Sequence, residues 1–373
     1  MDPVCHTLVG LSLAQAGLKR RSPLATATLV LGANAPDIDA VSYVLGDSLW
    51  WRRGWTHGIL AVAVLPLVLT AGAVLWDRLV RGRRNPRRHP PVVARELLWL
   101  SALAVLTHPT LDFLNNYGVR WLMPFSDRWF YGDALFIVDP WVSGTLAAGA
   151  LASWWLGRRR RPGLWDAGPA QGALALVFVY ATVMLALGHL ARPLVADAFA
   201  ERGIEVTGTP MVAPVFANPS RRYVVVEADD RYLVAGFHWL PLPALEPHAR
   251  AIARNDTHPA VAAARADPVA RGFLRWARFP FFTIENTPDG FLVLMDDARY
   301  APPGGRSWAS KAIHVPHDLA RTSSPGAAAT TAGGPLSPAG TAHATGGAGT
   351  NAWLARLAAT LAAWCVPGGI PGG

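Results

Sequence analysis

Charge is scarce in this 373-residue chain. Only 16% of its residues are Asp, Glu, Lys or Arg, against about 25% in an average soluble domain. With 51% hydrophobic residues and a mean hydropathy of +0.23, the shortfall argues against a wholly soluble protein and places much of the chain in lipid. Cysteine is scarcer still. Cys5 and Cys365 stand far apart, which excludes a disulfide framework and a CxxC zinc motif. The first apolar run has no basic stretch ahead of it and no convincing cleavage site behind it, so no removable signal peptide is expected. Acidic residues number 25 against 34 basic ones, a formal charge of +9. Such an excess can mark a nucleic-acid binder, but no aromatic or RNP-like pattern accompanies it here, and no nucleic-acid partner is expected. The basic residues cluster instead in "KRR" (residues 19–21), "RGRRNPRRH" (81–89) and "RRRR" (158–161), each abutting an apolar segment, as loops on the cytoplasmic side of a membrane do.

What the chain does have is long apolar segments and 16 tryptophans, a residue favoured at the headgroup boundary. The segments fall at residues 5–18, 23–36, 58–76, 96–111, 135–156 and 171–190. The last four approach the length of about 20 residues that a spanning helix needs. The first two are short and suggest a helical hairpin. The predicted fold class is mainly α: a polytopic helical membrane bundle over residues 1–191. Beyond it, "RRYVVVEADDRYLVAGFHWL", "FPFFTIE" and "DGFLVLMDD" alternate β-branched and aromatic residues around turn formers, predicting a small β-rich (α+β) extramembrane domain over residues 192–320. A low-complexity linker (321–350) and a short C-terminal amphipathic helix with its tail (351–373) are expected after it.

Putting the three basic clusters on the cytoplasmic side sets the depth of every other polar residue. His57 then lies at the outer start of its apolar segment, His108 and Asp112 at the outer end of theirs, and Asp139 at the outer start of the next. Asp37 and Asp39, in "NAPDID", follow the outer end of the second short segment, and His6 stands at the outer end of the first. Only the pair "WRR" at Arg52 and Arg53 breaks the charge rule. Imidazoles and carboxylates gathered at one depth suit zinc, manganese or iron. A bound ion polarises a phosphoryl or ester oxygen and lowers the pKa of its water to about 7. Each residue also has a plainer reading. "NAPDID" makes a good turn, His57 could be an interfacial histidine, and Asp139 before Pro140 could be a helix N-cap. Pro109 disfavours helix at His108. His189, His238, His248 and His258 have no partner spacing and are expected to be structural.

The motifs "HTLVGLSLAQAG", "ANAPDIDAVS", "RRGWTHGI", "HPTLDFLNNYGVRWLMPFSD" and "FIVDPW" occur in that order over residues 4–156, and this stretch resembles the YdjM/YbcI family of bacterial inner-membrane proteins. That family is described as membrane-bound metal-dependent hydrolases and also as LexA-binding. "FLRWARFPFF" and "DARY" resemble its longer members. The family pattern carries "THS" where this chain has "THG", so Gly58 replaces a hydroxyl. The resemblance implies a bacterial inner-membrane hydrolase with its functional residues at His6, Asp37, Asp39, His57, His108, Asp112 and Asp139. A fainter likeness to the all-helical zinc phospholipase C and nuclease group implies phosphoester substrates.

The expected function is therefore that of a multi-pass membrane hydrolase with one to three divalent ions, zinc foremost, held by His6, Asp37, Asp39, His57, His108 and Asp112. Arg53 would clamp an anionic group, Asn116 would orient the substrate, and Asp139 would serve as general base. The partners would be the bilayer and a phosphoester in a lipid headgroup or envelope precursor, with the site and the β-rich domain on the outer side. The alternative is a non-enzymatic membrane scaffold or partner-binding protein, in which the same residues hold a structural ion or a polar network.

Overall fold

A computed structural model describes residues 1–43, 48–81, 90–159, 166–301 and 307–322. The expected C-terminal helix, the linker beyond Thr322 and most of the two longer basic clusters lie outside the described residues. By contacts the chain divides into two compact units, one of Met1–Gly188 with Ala213–Pro219 and one of His189–Val212 with the described residues from Ser220 onward.

In the first unit, Asp2 caps helix α1 (Pro3–Gln15), its carboxylate accepting from the N–H groups of Val4 and Cys5. Helix α2 (Ala25–Asn34) returns beside it and runs into a 3₁₀ stretch, Ala35–Tyr43. These form the expected short hairpin. A single turn, α3 (Ser48–Trp51), precedes α4 (Ile59–Trp76), which continues as a π-turn to Arg81. Helix α5 (Ala94–Leu114) is the central element, packing against both α2 and α4. Half of its apolar window is buried, against 11% for α4, so α5 is an inner helix and α4 an outer one. Ala14, Ala25, Leu29, Leu100 and Ala104 form the core between α1, α2 and α5. Small side chains there let helices approach closely.

Among the described residues, three helices are long and apolar enough to cross a membrane: Ile59–Arg81, Ala94–Leu114 and Gly168–Ala200. Four were expected. The fourth, residues 135–156, does not form one helix. Leu135 instead bridges to Asn115 in parallel, and α6 starts only at Pro140 and runs to Arg159. The strongly apolar "LFIV" ahead of it is left outside, and what remains carries Ser143, Thr145, Ser153 and three glycines. Helix α6 is thus too polar to count as a span on composition, although Val142 and Leu146 bury against Cys5, Val9 and Leu111. Helix α7 (Gly168–Ala200) follows.

Antiparallel sheets occupy the C-terminal region. Strands β1 (Thr207–Val215), β2 (Asn218–Ala228), β3 (Arg231–His238) and β4 (Ala244–Leu245) lie in that order, and β5 (Arg250–Ala253) also pairs with β3. A second sheet has β6 (Pro280–Thr287), β7 (Gly290–Asp297) and β8 (Lys311–Pro316) in sequence order. The "DARY" motif is a buried knot here. Both Asp297 and Arg299 are fully buried and paired at 2.9 Å. Asp297 also accepts from Arg278 N at 2.7 Å, and Arg299 Nη2 donates to Trp276 O at 3.0 Å. These residues join "FLRWARF" to "DARY", which makes their role structural.

Candidate metal centre

The floor of the site is the end of α5. His108 and Asp112 are four residues apart, and the helix continues through Pro109 to Leu114, as apolar helices packed against neighbours allow. One helical face therefore carries both side chains, with His108 Nε2 3.5 Å from Asp112 Oδ2. The end of α2 fixes the imidazole, because His108 Nδ1 lies 2.6 Å from Ala33 O. A carbonyl only accepts, so Nδ1 carries the hydrogen and Nε2 presents a lone pair.

His57 arrives from the turn before α4. Its Nδ1 is 3.0 Å from Thr56 Oγ1 and 3.4 Å from Asp39 Oδ2. The carboxylate again calls for a hydrogen on Nδ1 and leaves Nε2 as the donor atom. Burial lowers the pKa of His57 below its ordinary value, against the pull of Asp112, so the ring is neutral near pH 7. Its Nε2 faces His108 Nε2 at 3.1 Å and Asp112 Oδ2 at 3.3 Å. When both rings are neutral with the hydrogen on Nδ1, they cannot hydrogen-bond through Nε2. Their lone pairs repel unless a cation lies between them.

The remaining donors close round this point. Asp37 Oδ1 stands 3.7 Å from His108 Nε2 and 4.0 Å from His57 Nε2. Burial raises the Asp37 carboxyl, but the neighbouring imidazoles and Arg52 outweigh it and hold it below its ordinary value. His6 stacks on His108 with ring centroids 3.7 Å apart. Neither His6 ring nitrogen makes a hydrogen bond, although Nε2 lies 3.4 Å from Asp112 Oδ1. The α-amino group of Met1 also contacts that oxygen. Among the described residues, two groups of donors are compact enough to hold an ion, His6 with His108 and Asp112, and Asp37 with His57 and His108. Ligands about 2.0–2.2 Å from one ion sit roughly 3–3.5 Å from each other, which matches the separations around His57, His108 and Asp112. The donor set thus fits a divalent ion that accepts imidazole and carboxylate together. Both groups need the single Nε2 lone pair of His108, so they do not describe two independent sites.

The other residues expected at the site stand around this centre. Asp39 belongs to neither group. It accepts from Arg53 N at 2.8 Å and Thr56 Oγ1 at 3.2 Å, and it pairs with Arg52. It therefore positions His57. Arg53 is buried, with Nη1 on Asn115 Oδ1 and Gly118 O at 3.2 Å each and Nε 3.0 Å from Asp112 Oδ2. Its guanidinium braces Asp112 from inside. Asn116 is buried, and the neighbouring Asn115 accepts from Arg53. Asp139 caps α6, accepting from Trp141 N at 3.0 Å and Val142 N at 3.2 Å, and it joins neither donor group.

Two residues of the "HPTLDFLNNYGVRWLMPFSD" stretch that were not expected at the site complete the frame. Asn115 Oδ1 also accepts from Tyr117 N at 2.8 Å, forming the turn in which Gly118 takes φ +86°, a conformation that glycine adopts without strain. The Asn-X-X-Gly spacing was the available signal. Arg120 is fully buried, and its Nη2 donates to Trp50 O at 2.7 Å and Arg52 O at 2.9 Å. Its N–H holds Arg53 O at 2.9 Å, where Arg53 has φ +50°, an unfavourable region for a side-chain-bearing residue.

Gly58, the departure from the family pattern, is where the backbone at residue 123 comes closest. A Cβ at Gly58 would lie 2.5 Å from Met123 O. Gly58→Ser is therefore expected to destabilise this chain by about 1–3 kcal/mol, read as a lower melting temperature in detergent, even though serine is the residue of the related pattern.

No solved structure matches the chain. A Bacillus subtilis (strain 168) protein described as "Uncharacterized protein YfhP" is 22% identical over 351 residues, covering 87% of this chain and 94% of the relative. The sequence profile of the YdjM inner membrane protein family matches residues 1–192, the stretch that contains every donor of the centre. The chain belongs to the YdjM inner membrane protein family.

Proposed function

We propose that the protein is a membrane-bound, metal-dependent hydrolase acting on a phosphoester or related bond at the outer membrane–water interface. The observation that carries this reading is the 3.1 Å approach of His57 Nε2 and His108 Nε2, with both Nδ1 atoms committed elsewhere and Asp112 alongside. When bound, a divalent ion supplies Lewis acidity towards a phosphoryl oxygen and activates water near neutral pH. His57, His108 and Asp112 hold it, with Asp37 or His6 completing the shell. Asp37 is the most exposed of the five, its side chain 16% accessible while the other four are at 0%, so substrate and water approach from the Asp37 side. Arg52 Nη1, 3.3 Å from Asp37 Oδ1, places a positive charge there for an anionic group. Asp39 and Arg53 keep the ligand-bearing loop in place.

The test is metal content and phosphodiester hydrolysis by the detergent-purified full chain. Stoichiometric zinc, manganese or iron is expected, with activity lost on chelation and restored by the same ion. Bound metal without hydrolysis across a phosphoester panel would leave a structural ion in a scaffold. No bound metal after chelator-free purification would remove the hydrolase reading.

A further inference from the structure

Three loops surround the centre, and each turns apolar side chains outward. The 3₁₀ stretch exposes Ile38 and Val41, α3 and the turn after it expose Trp51 and Trp55, and the segment after Arg120 exposes Leu122 and Phe125. Exposure reaches 64% at Ile38 and 78% at Phe125. The loops are locked together. Asp39 holds the backbone of Arg53, Arg120 holds the carbonyls of Trp50 and Arg52, and Ile59 N donates to Trp121 O at 2.9 Å. The apolar side chains therefore form a fixed collar. Scattered exposed apolar residues need no explanation, but three interlocked loops all carrying them do.

The collar is continuous with the surface that α4 offers to lipid. Helix α4 begins at Ile59, directly after the His57 turn, and exposes Ile59, Leu60, Val64, Leu67 and Val68. A spanning helix whose flank is this apolar meets acyl chains along its length. Trp51 and Trp55 precede its start at Ile59 in the chain, and tryptophan favours a bilayer surface. Asp127 and Arg128, exposed two and three residues after Phe125, mark a polar edge.

We infer that the collar is seated in the bilayer surface, and that the centre receives an amphiphilic substrate from within the leaflet. The anionic headgroup meets Arg52 and the donor cluster, while the acyl portion lies along Trp55 and Phe125. The inference rests on the hydrolase reading for its substrate half and is independent of it for its membrane half.

The experiment uses the full chain in phosphatidylethanolamine–phosphatidylglycerol vesicles. A bimane label is placed at Phe125→Cys, or at Trp55→Cys as a second position, with Cys365→Ser in the background and a label at Asp230→Cys, on the exposed β2–β3 turn, for comparison. Shallow doxyl lipids are expected to quench the collar labels at least about twofold more than iodide does, with the reverse order at Asp230. Iodide quenching both collar labels more than doxyl lipid would overturn the proposal, and quenching lost on dilution of protein in the vesicles would assign the collar to a second copy instead. In parallel, Phe125→Asp is assayed on a long-chain and a short-chain ester of the same phosphate headgroup. The KM for the long-chain ester is expected to rise about tenfold, and that for the short-chain ester to rise far less. Equal turnover of both esters, unchanged by Phe125→Asp, would refute the amphiphile while leaving the hydrolase intact. Hydrolysis of neither ester would remove the hydrolase and the substrate half together, and the quenching result would still decide the membrane half.

Discussion

His108→Ala is expected to abolish retention of a divalent metal and to reduce phosphoester hydrolysis to background. His108 is the one donor common to both compact groups, and its Nε2 direction is fixed by the bond from Nδ1 to Ala33 O. No rearrangement of the other four residues restores that lone pair. Loss of an outer-shell partner typically costs about 10–100-fold in metal affinity, so loss of the shared ligand should exceed about 100-fold. Asp39→Asn calibrates this, because Asp39 touches the site only through His57, Thr56 and the arginines. Its loss should fall within the 10–100-fold range. The thermal signature separates ligand loss from misfolding. Metal at about 100 times its Kd adds roughly 2.7 kcal/mol to a protein that binds it, so zinc should raise the melting temperature of the native chain and not that of His108→Ala. The metal-free variant should melt close to the metal-free native chain, because removing His108 also relieves the opposition of two lone pairs. Stoichiometric metal in the variant would refute the assignment.

The convergence of His6, Asp37, His57, His108 and Asp112 was legible because lipid makes ionisable residues expensive. With the Lys and Arg clusters placed on one side, the sequence expected those five, with Asp39 and Asp139, at similar depth. Depth does not fix direction, however. Asp37 and Asp39 are two residues apart in one turn, yet Asp37 faces the imidazoles while Asp39 faces the loop backbone. Asp139 had two readings, and the hydrogen bonds show a cap. The expected fourth span shared that blind spot. Residues 135–138 are apolar enough to extend α6, but Leu135 is taken by its bridge to Asn115 and Pro140 begins the helix, so tertiary pairing outweighs local hydropathy. Arg120 lay within a quoted motif, but nothing pointed to its role, because the partners of its Nη2 are carbonyls, which every residue carries.

That silence makes Arg120 the sharpest test of the loop frame. Arg120→Ala removes a charged donor from two part-buried carbonyls, Trp50 O and Arg52 O. Hydrogen bonds from a charged group contribute about 1.5–3 kcal/mol each, so a loss of roughly 3–6 kcal/mol is expected, enough to unfold a marginal domain. The pair with Asp127 adds little, since that carboxylate is 43% exposed and water replaces the partner. Arg120→Lys is the informative variant. It keeps the charge and most of the volume, but an ammonium lacks the planar fork that reaches the backbone on one side and stacks over Trp129, 5.2 Å from the ring centroid, on the other. The lysine variant should fold with a lowered melting temperature and bind metal more weakly than the native chain, because the turn that carries Arg52, Arg53 and His57 is no longer held at both carbonyls. Weaker metal binding in a folded Arg120→Lys protein would show that the frame sets the site. Native affinity in that variant would mean that Asp39 alone is sufficient to position His57.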